Sequence, residues 1–100
     1  MVIQMAEFGR ALVTRIAGRS AFAKISKEMQ LADGIVTFDF DGVDSITNSF
    51  ADEVFGRMIC EIGMEEMKKR TTFKNISPFW AHIVRAAMDS RASQQTLSAC

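Results

Sequence analysis

Ser45, Thr47 and Ser49 alternate along one short polar stretch, Asp44-Ser45-Ile46-Thr47-Asn48-Ser49. By type and spacing they are the residues of this chain best suited to carry a modification. A hydroxyl on an exposed loop can accept a phosphate. At the start of a helix, the dipole and free N–H groups stabilise that phosphate. It would add about −2 of charge, here beside Asp44, Asp52 and Glu53. A partner pressed onto the loop would then meet like-charge repulsion, so the modification would break an interface and leave the fold alone. The plainer use of these residues is capping. Thr47, Asn48 and Ser49 are all competent N-caps, and capping needs only one of them. Asp44, Asn48, Asp52, Glu53 and Arg57 surround the hydroxyls and are the expected partner-binding residues.

Other chemistry is poorly supplied. A zinc site takes about four ligands, and the single His and two distant Cys leave only carboxylates to make them up. A Cys–His nucleophile pair requires Cys60 beside His82, yet both fall mid-helix on elements expected to carry the core. Cys60 reads as a small buried apolar residue, and Cys100, the last residue, as a mobile free thiol. There is no P-loop or dinucleotide glycine motif. The expectation is a protein that is not an enzyme and takes no metal or cofactor. Twelve basic and twelve acidic residues cancel, so there is no electrostatic case for nucleic acid or an anionic membrane. Arg10, Arg15 and Arg19 could form an anion or partner patch, whereas Lys68-Lys69-Arg70 is offset by Glu65 and Glu66. The first residues lack a basic, then apolar, leader pattern. No apolar run approaches the ~20 residues of a membrane span. A cytoplasmic location is the resulting expectation.

The hydroxyl stretch must be held by its flanks. Ile35 to Phe40 reads as a strand with Val36, Phe38 and Phe40 on one face and Ile35, Thr37 and Asp39 on the other. Asp41-Gly42 is a turn. After the stretch, Phe50, Val54, Phe55, Met58, Ile59 and Ile62 form one helical stripe. Asp52, Glu53, Arg57 and Glu61 are expected on the solvent side, with Glu53–Arg57 and Arg57–Glu61 at i,i+4 spacing. Gly63 is a candidate C-cap. The stretch therefore opens at a strand's carboxyl end, where open α/β sheets usually bind.

Upstream, Val2–Glu7 and Arg10–Ile16 read as a hairpin turning at Phe8-Gly9, although a helix through Ala11–Ala17 has comparable periodicity. Gly18 breaks that pattern. A helix capped by Ser20 carries Phe22, Ile25, Met29 and Ala32 inward. Downstream, Arg70–Ile76 is a strand by composition. Ser77-Pro78 starts a last helix whose apolar face is Phe79, Trp80, Ile83, Val84, Ala87 and Met88. Residues 1–91 make one α/β domain: a four-stranded mixed sheet with three helices, in the order ββαβαβα. Residues 92–100 are expected as a flexible polar tail.

Phe38-Asp39-Phe40, Gly42-Val43, Ser45-Ile46 and Ser49-Phe50-Ala51-Asp52-Glu53-Val54-Phe55, with Arg15 and Gly18-Arg19-Ser20 upstream, resemble the STAS-like family of small bacterial proteins, a domain of unknown function. The resemblance spans roughly residues 8–91. That family is similar to the STAS domains of anti-sigma-factor antagonists. The resemblance implies a mixed sheet flanked by helices and a partner-switching role in signalling. The implied partner is a histidine-kinase-like (GHKL) ATPase acting as anti-sigma factor or switch kinase, released on Ser/Thr phosphorylation. In those antagonists the phosphoserine follows the strand at the start of the next helix. Ser49 matches it by distance to Gly56-Arg57, and Ser45 by distance from Asp44; Ser49-Phe50-Ala51 stands where Ser-Gly-Leu would be. The alternative is a stand-alone interaction or immunity-type protein, with a homodimer left open and the loop serving only as a cap.

Overall fold

In the computed structural model, which describes residues 1–97, the chain opens with strand β1 (Val2–Gln4), of which only the middle residue, Ile3, is buried. A 3-10 turn (Met5–Phe8) follows, with Met5 inside and Gly9 at φ 125° beyond it. A second short strand, β2 (Ala11–Leu12), leads to helix α1 (Arg15–Leu31). Then come β3 (Val36–Asp39), β4 (Ser45–Ile46) and a helical run in three parts: α2 (Asn48–Ala51), a π turn (Asp52–Gly56) and α3 (Arg57–Arg70). β5 (Thr71–Lys74) and α4 (Pro78–Leu97) complete the chain.

The strands pair in two separate parallel ladders. The main sheet has the order β1-β3-β5, with Ile3, Phe38 and Phe73 in register. β2 pairs with β4, Leu12 opposite Ile46. The opening hairpin and the four-stranded mixed sheet expected from sequence are therefore replaced by a three-stranded parallel sheet and a two-stranded one. The reason is local. The 3-10 turn, Gly9 and Arg10 take six residues to join β1 to β2, too many for a tight hairpin turn, and β1 finds its partner across the crossover instead. Three helical runs flank the strands, as expected.

The N-cap of α1 is Thr14, six residues before the expected Ser20. The Thr14 hydroxyl accepts the Ala17 N–H at 3.0 Å and caps it. Gly18, which looks like a breaker, lies inside the helix, where a Cβ would come within 2.7 Å of the Glu53 Cβ and glycine alone fits without a shift. At Gly63 (φ 82°, ψ 161°) α3 bends through a conformation open essentially to glycine alone. The first helical segment thus ends at Gly63, the expected C-cap, and a second segment carries α3 on to Arg70 beyond the kink. At the start of α4, the Ser77 hydroxyl accepts the Trp80 N–H at 3.2 Å. Phe79 turns out to be exposed rather than part of the apolar face. α4 continues to Leu97, well past Ser90, in place of the expected tail from 92; residues 98–100, including Cys100, lie outside the described part. Cys60 is half-buried and is not a free thiol.

The core is built on Phe38, Phe40, Phe50 and Phe55, all fully buried. Phe38 meets Phe55 edge-on at 5.2 Å, and Phe73 stacks against Phe38 at 5.6 Å. Each such pair adds roughly 0.5–1.5 kcal/mol beyond its buried area. Val36, Phe38 and Phe40 are buried and Ile35 is exposed, as the alternation requires. Among the described residues no helix is long and apolar enough to cross a membrane.

Candidate functional site

The corner between residues 44 and 49 is positioned by the small ladder. β2 and β4 each run straight into a helix through a threonine N-cap: Thr14 for α1 and Thr47 for α2. The two helix starts consequently lie side by side. The Thr47 N–H donates to the Leu12 carbonyl at 3.0 Å. Its hydroxyl donates to the Val13 carbonyl at 2.8 Å and accepts the Phe50 N–H at 3.3 Å. Thr47 is thus a structural hinge pin as well as the cap. Ser45 and Ser49 are half-buried and make no side-chain hydrogen bond of this kind among the described residues. Asp44 and Asn48 are exposed, and Ile46 is buried as the corner's anchor. Asp44 is held by Arg10 in a bidentate pair at 2.9 and 3.1 Å, and that hydrogen bond and charge hold its carboxyl below the usual range. Two apolar side chains next to the corner face water: Val13, 39% exposed, and Ile16, 75% exposed.

Beyond α2 the character changes. The π turn inserts an extra residue into the helical run, and four consecutive residues, Glu53 to Gly56, are buried. An amphipathic helix lying on a surface cannot do this. The turn is gripped on two sides. Gly18 of α1 lies against Glu53, and Gly56 faces Ala87 and Arg91 of α4, where a Cβ would come within 2.9 Å of Arg91 Cγ. Glu53, expected on the solvent side, is only 4% exposed.

Arginines satisfy both carboxylates. Arg91 donates to Asp52 through Nε at 2.7 Å and Nη2 at 2.8 Å. Arg15 bridges Asp52 at 2.9 Å and Glu53 at 3.2 Å. Arg57 reaches Glu53 at 2.9 Å, the i,i+4 pair expected from sequence, and Arg19 approaches the same carboxylate at 3.8 Å. Glu61 does not join Arg57; it accepts a hydrogen bond from the Ser26 hydroxyl instead. The Arg91 hydrogen bonds, aided by Arg15, lower Asp52 to about 2 against the opposing effect of burial. Burial pushes Glu53 up, but Arg57 and Arg15 outweigh it and the net shift is down.

A second clamp sits at the carboxyl end of the main sheet. Buried Asp39 accepts hydrogen bonds from the Asn75 side chain and the Asp41 N–H, each at 2.9 Å. Asn75 adopts φ 56°, a left-handed conformation that Asn tolerates better than most residues. The Asn75 bond, then the Asp41 N–H, lower the Asp39 carboxyl. This clamp ties the turn after β3 to the turn after β5.

The expected site residues therefore fall into two groups. Asp44, Ser45, Thr47, Asn48 and Ser49 form the corner. Asp52, Glu53 and Arg57 belong to an ion network whose carboxylates face inward, with exposed arginine surface outside it. Arg15 and Arg19, read as a surface patch, are its other members, and Arg91, which the resemblance reaches only as the end of the closing helix, joins them. No local pattern marks Arg91, since its partner lies thirty-nine positions away. His82 is exposed on α4, and no group of three potential metal ligands is found among the described residues.

A family model for the STAS-like domain of unknown function matches residues 17–78. The chain belongs to that STAS-like family. The match takes in α1 from Ala17, the main sheet from β3, the corner and the π turn. Arg15 and Arg91 lie outside it, so the STAS-like segment is completed by charges from both flanks. No curated protein and no solved structure matches the chain.

Proposed function

We propose that this STAS-like chain is a non-catalytic regulatory module that binds a protein partner at the corner. One observation carries this reading: Ile16 and Val13 stand in water beside a polar loop whose backbone is pinned by Thr47. A fixed loop edged with exposed apolar side chains offers a preorganised landing surface, which limits the ordering cost of association. The outward faces of Arg15 and Arg19 would add charge contacts at its rim. By family likeness, the partner is a histidine-kinase-like ATPase of the anti-sigma or switch-kinase type. Ser49 is the preferred phosphoacceptor, with Ser45 second. Thr47 is demoted because its hydroxyl already bridges Val13 and Phe50.

The test is co-purification from cells expressing the tagged chain, followed by phosphosite mapping. Wild type should retain an ATPase partner, and Ile16→Glu and Ser49→Asp should lose it. Both substitutions are near the surface and should leave the melting temperature within roughly 3 °C. Retention of the partner by both variants would sink the corner reading. Retention by Ser49→Asp alone, with no phosphate mapped, would remove the switch and leave a stand-alone interaction protein.

A further inference from the structure

The outer edge of the main sheet provides a second surface. β5 pairs with β3 on one side only, and among the described residues no strand covers its other side. The Phe40 N–H donates to the Lys74 carbonyl at 2.9 Å. Backbone polar groups alternate sides along a strand, so Lys74 and Thr72 face β3 while the N–H and C=O of Phe73 face the free edge. Against this edge lies an apolar groove of about 330 Å³, bounded by β5, the end of α3 and α4. Its floor is chiefly Met67, Phe73, Ile76, Val84 and Met88. Both charged residues that line it, Lys68 and Arg85, are cationic; Arg85 also pairs with Asp89 at 3.3 Å.

An unpaired edge beside an apolar groove is the arrangement that takes up an extended peptide: main-chain bonds supply affinity, and alternate side chains drop into the groove. Two methionines let that groove adapt to its occupant. The rim charge selects among occupants. A second copy paired edge to edge would bring Lys68 and Arg85 of both chains together, and like charges juxtaposed across an interface are costly. A segment with acidic ends is attracted instead. We propose that the β5 edge binds an extended segment of another protein, apolar at alternate positions and carrying Asp or Glu at its ends. This surface shares no residue with the corner, and its α4 wall lies beyond the family match at residues 17–78, so the proposal stands whether or not the corner reading does.

The probe is a displayed library of random nine-residue peptides selected against the intact chain. Enriched sequences should alternate apolar and polar residues and end in acids. A synthetic peptide of the enriched sequence should move amide resonances of residues 71–74 and 83–88. Methylating its central backbone nitrogens should weaken binding at least tenfold. So should the Lys68→Glu/Arg85→Glu double variant, whose two sites are exposed and whose fold is checked by its melting temperature. Failure of any sequence to enrich, enrichment without acidic ends, resonance shifts confined to the corner, or unchanged binding by the double variant would each overturn the proposal. Dimerisation of the chain alone through β5 would do the same.

Discussion

The corner and the π turn are separated by a single helical turn, yet they solve opposite problems. In the π turn, two carboxylates face inward and are held by arginines, and glycines at positions 18 and 56 let α1 and α4 close on the helix from both sides. In the corner, one threonine holds the backbone and the neighbouring hydroxyls and apolar side chains remain available. Charged residues that look like a recognition surface in the sequence thus hold three helices together. The less conspicuous apolar residues beside them, Val13 and Ile16, are the ones that stand exposed.

If the helical run after the corner is a packing element, its first buried residue should be the most sensitive position. Phe50 is fully buried, and Phe50→Ala should cost about 3–5 kcal/mol through the cavity it leaves. Urea unfolding measures this. A loss under about 1 kcal/mol would mean that the region collapses freely and that the contrast with the corner is false.

The ion network gives a second handle, through pH. Asp52 titrates at about 2 in the folded chain against 3.8 as a free side chain. A lowered folded pKa means that the stabilisation is fully present above about pH 4 and is lost as the pH falls towards 2. The difference corresponds to about 2 kcal/mol. Asp52→Asn should remove that portion at neutral pH and flatten the dependence between pH 4 and 2. Unfolding curves of the two proteins that stay parallel across this range would show that Arg91 and Arg15 do not hold the carboxylate.

Gly18→Ala is a finer test of the same packing. Helix propensity favours alanine by about 1 kcal/mol, but overpacking against Glu53 and the Phe50 carbonyl costs about 1–3 kcal/mol. The contact should win, with a net loss of about 1–2 kcal/mol in urea unfolding. A more stable variant would show that α1 and the π turn sit further apart.

Much of this was readable in advance, and the exceptions share a cause. The buried face of β3, the Phe50–Ile62 stripe, the Glu53–Arg57 pair and the Ser77-Pro78 start all rest on neighbours within a few residues, and periodicity captures them. The parallel pairing of β1 with β3 depends on a partner thirty-five residues away. Gly18 reads as a breaker because its reason, Glu53, is equally distant. The inward turn of Glu53 needs a π turn and helices on both sides, none of which has a local signature. In the candidate site the helix start near residues 47–49 rests on a local capping signal, whereas the pairing of β4 with β2 and the division of labour among the hydroxyls do not.

That division is the smallest effect and the one that bears most directly on function. The Thr47 hydroxyl satisfies the Phe50 N–H at 3.3 Å and the Val13 carbonyl at 2.8 Å. Thr47→Ala removes the cap and the hydroxyl bond to Val13, leaves the backbone bond to Leu12 in place, and should cost about 1 kcal/mol. The helix itself survives, because the π turn and α3 extend it. The loss should therefore appear locally, as faster amide exchange at Phe50, before it appears in the global transition. Ser49→Ala removes a hydroxyl with no such role and should stay within about 0.5 kcal/mol of wild type. Equal costs for the two, or unchanged exchange at Phe50 in Thr47→Ala, would mean that the hydroxyls are interchangeable and that Thr47 returns as a candidate for modification.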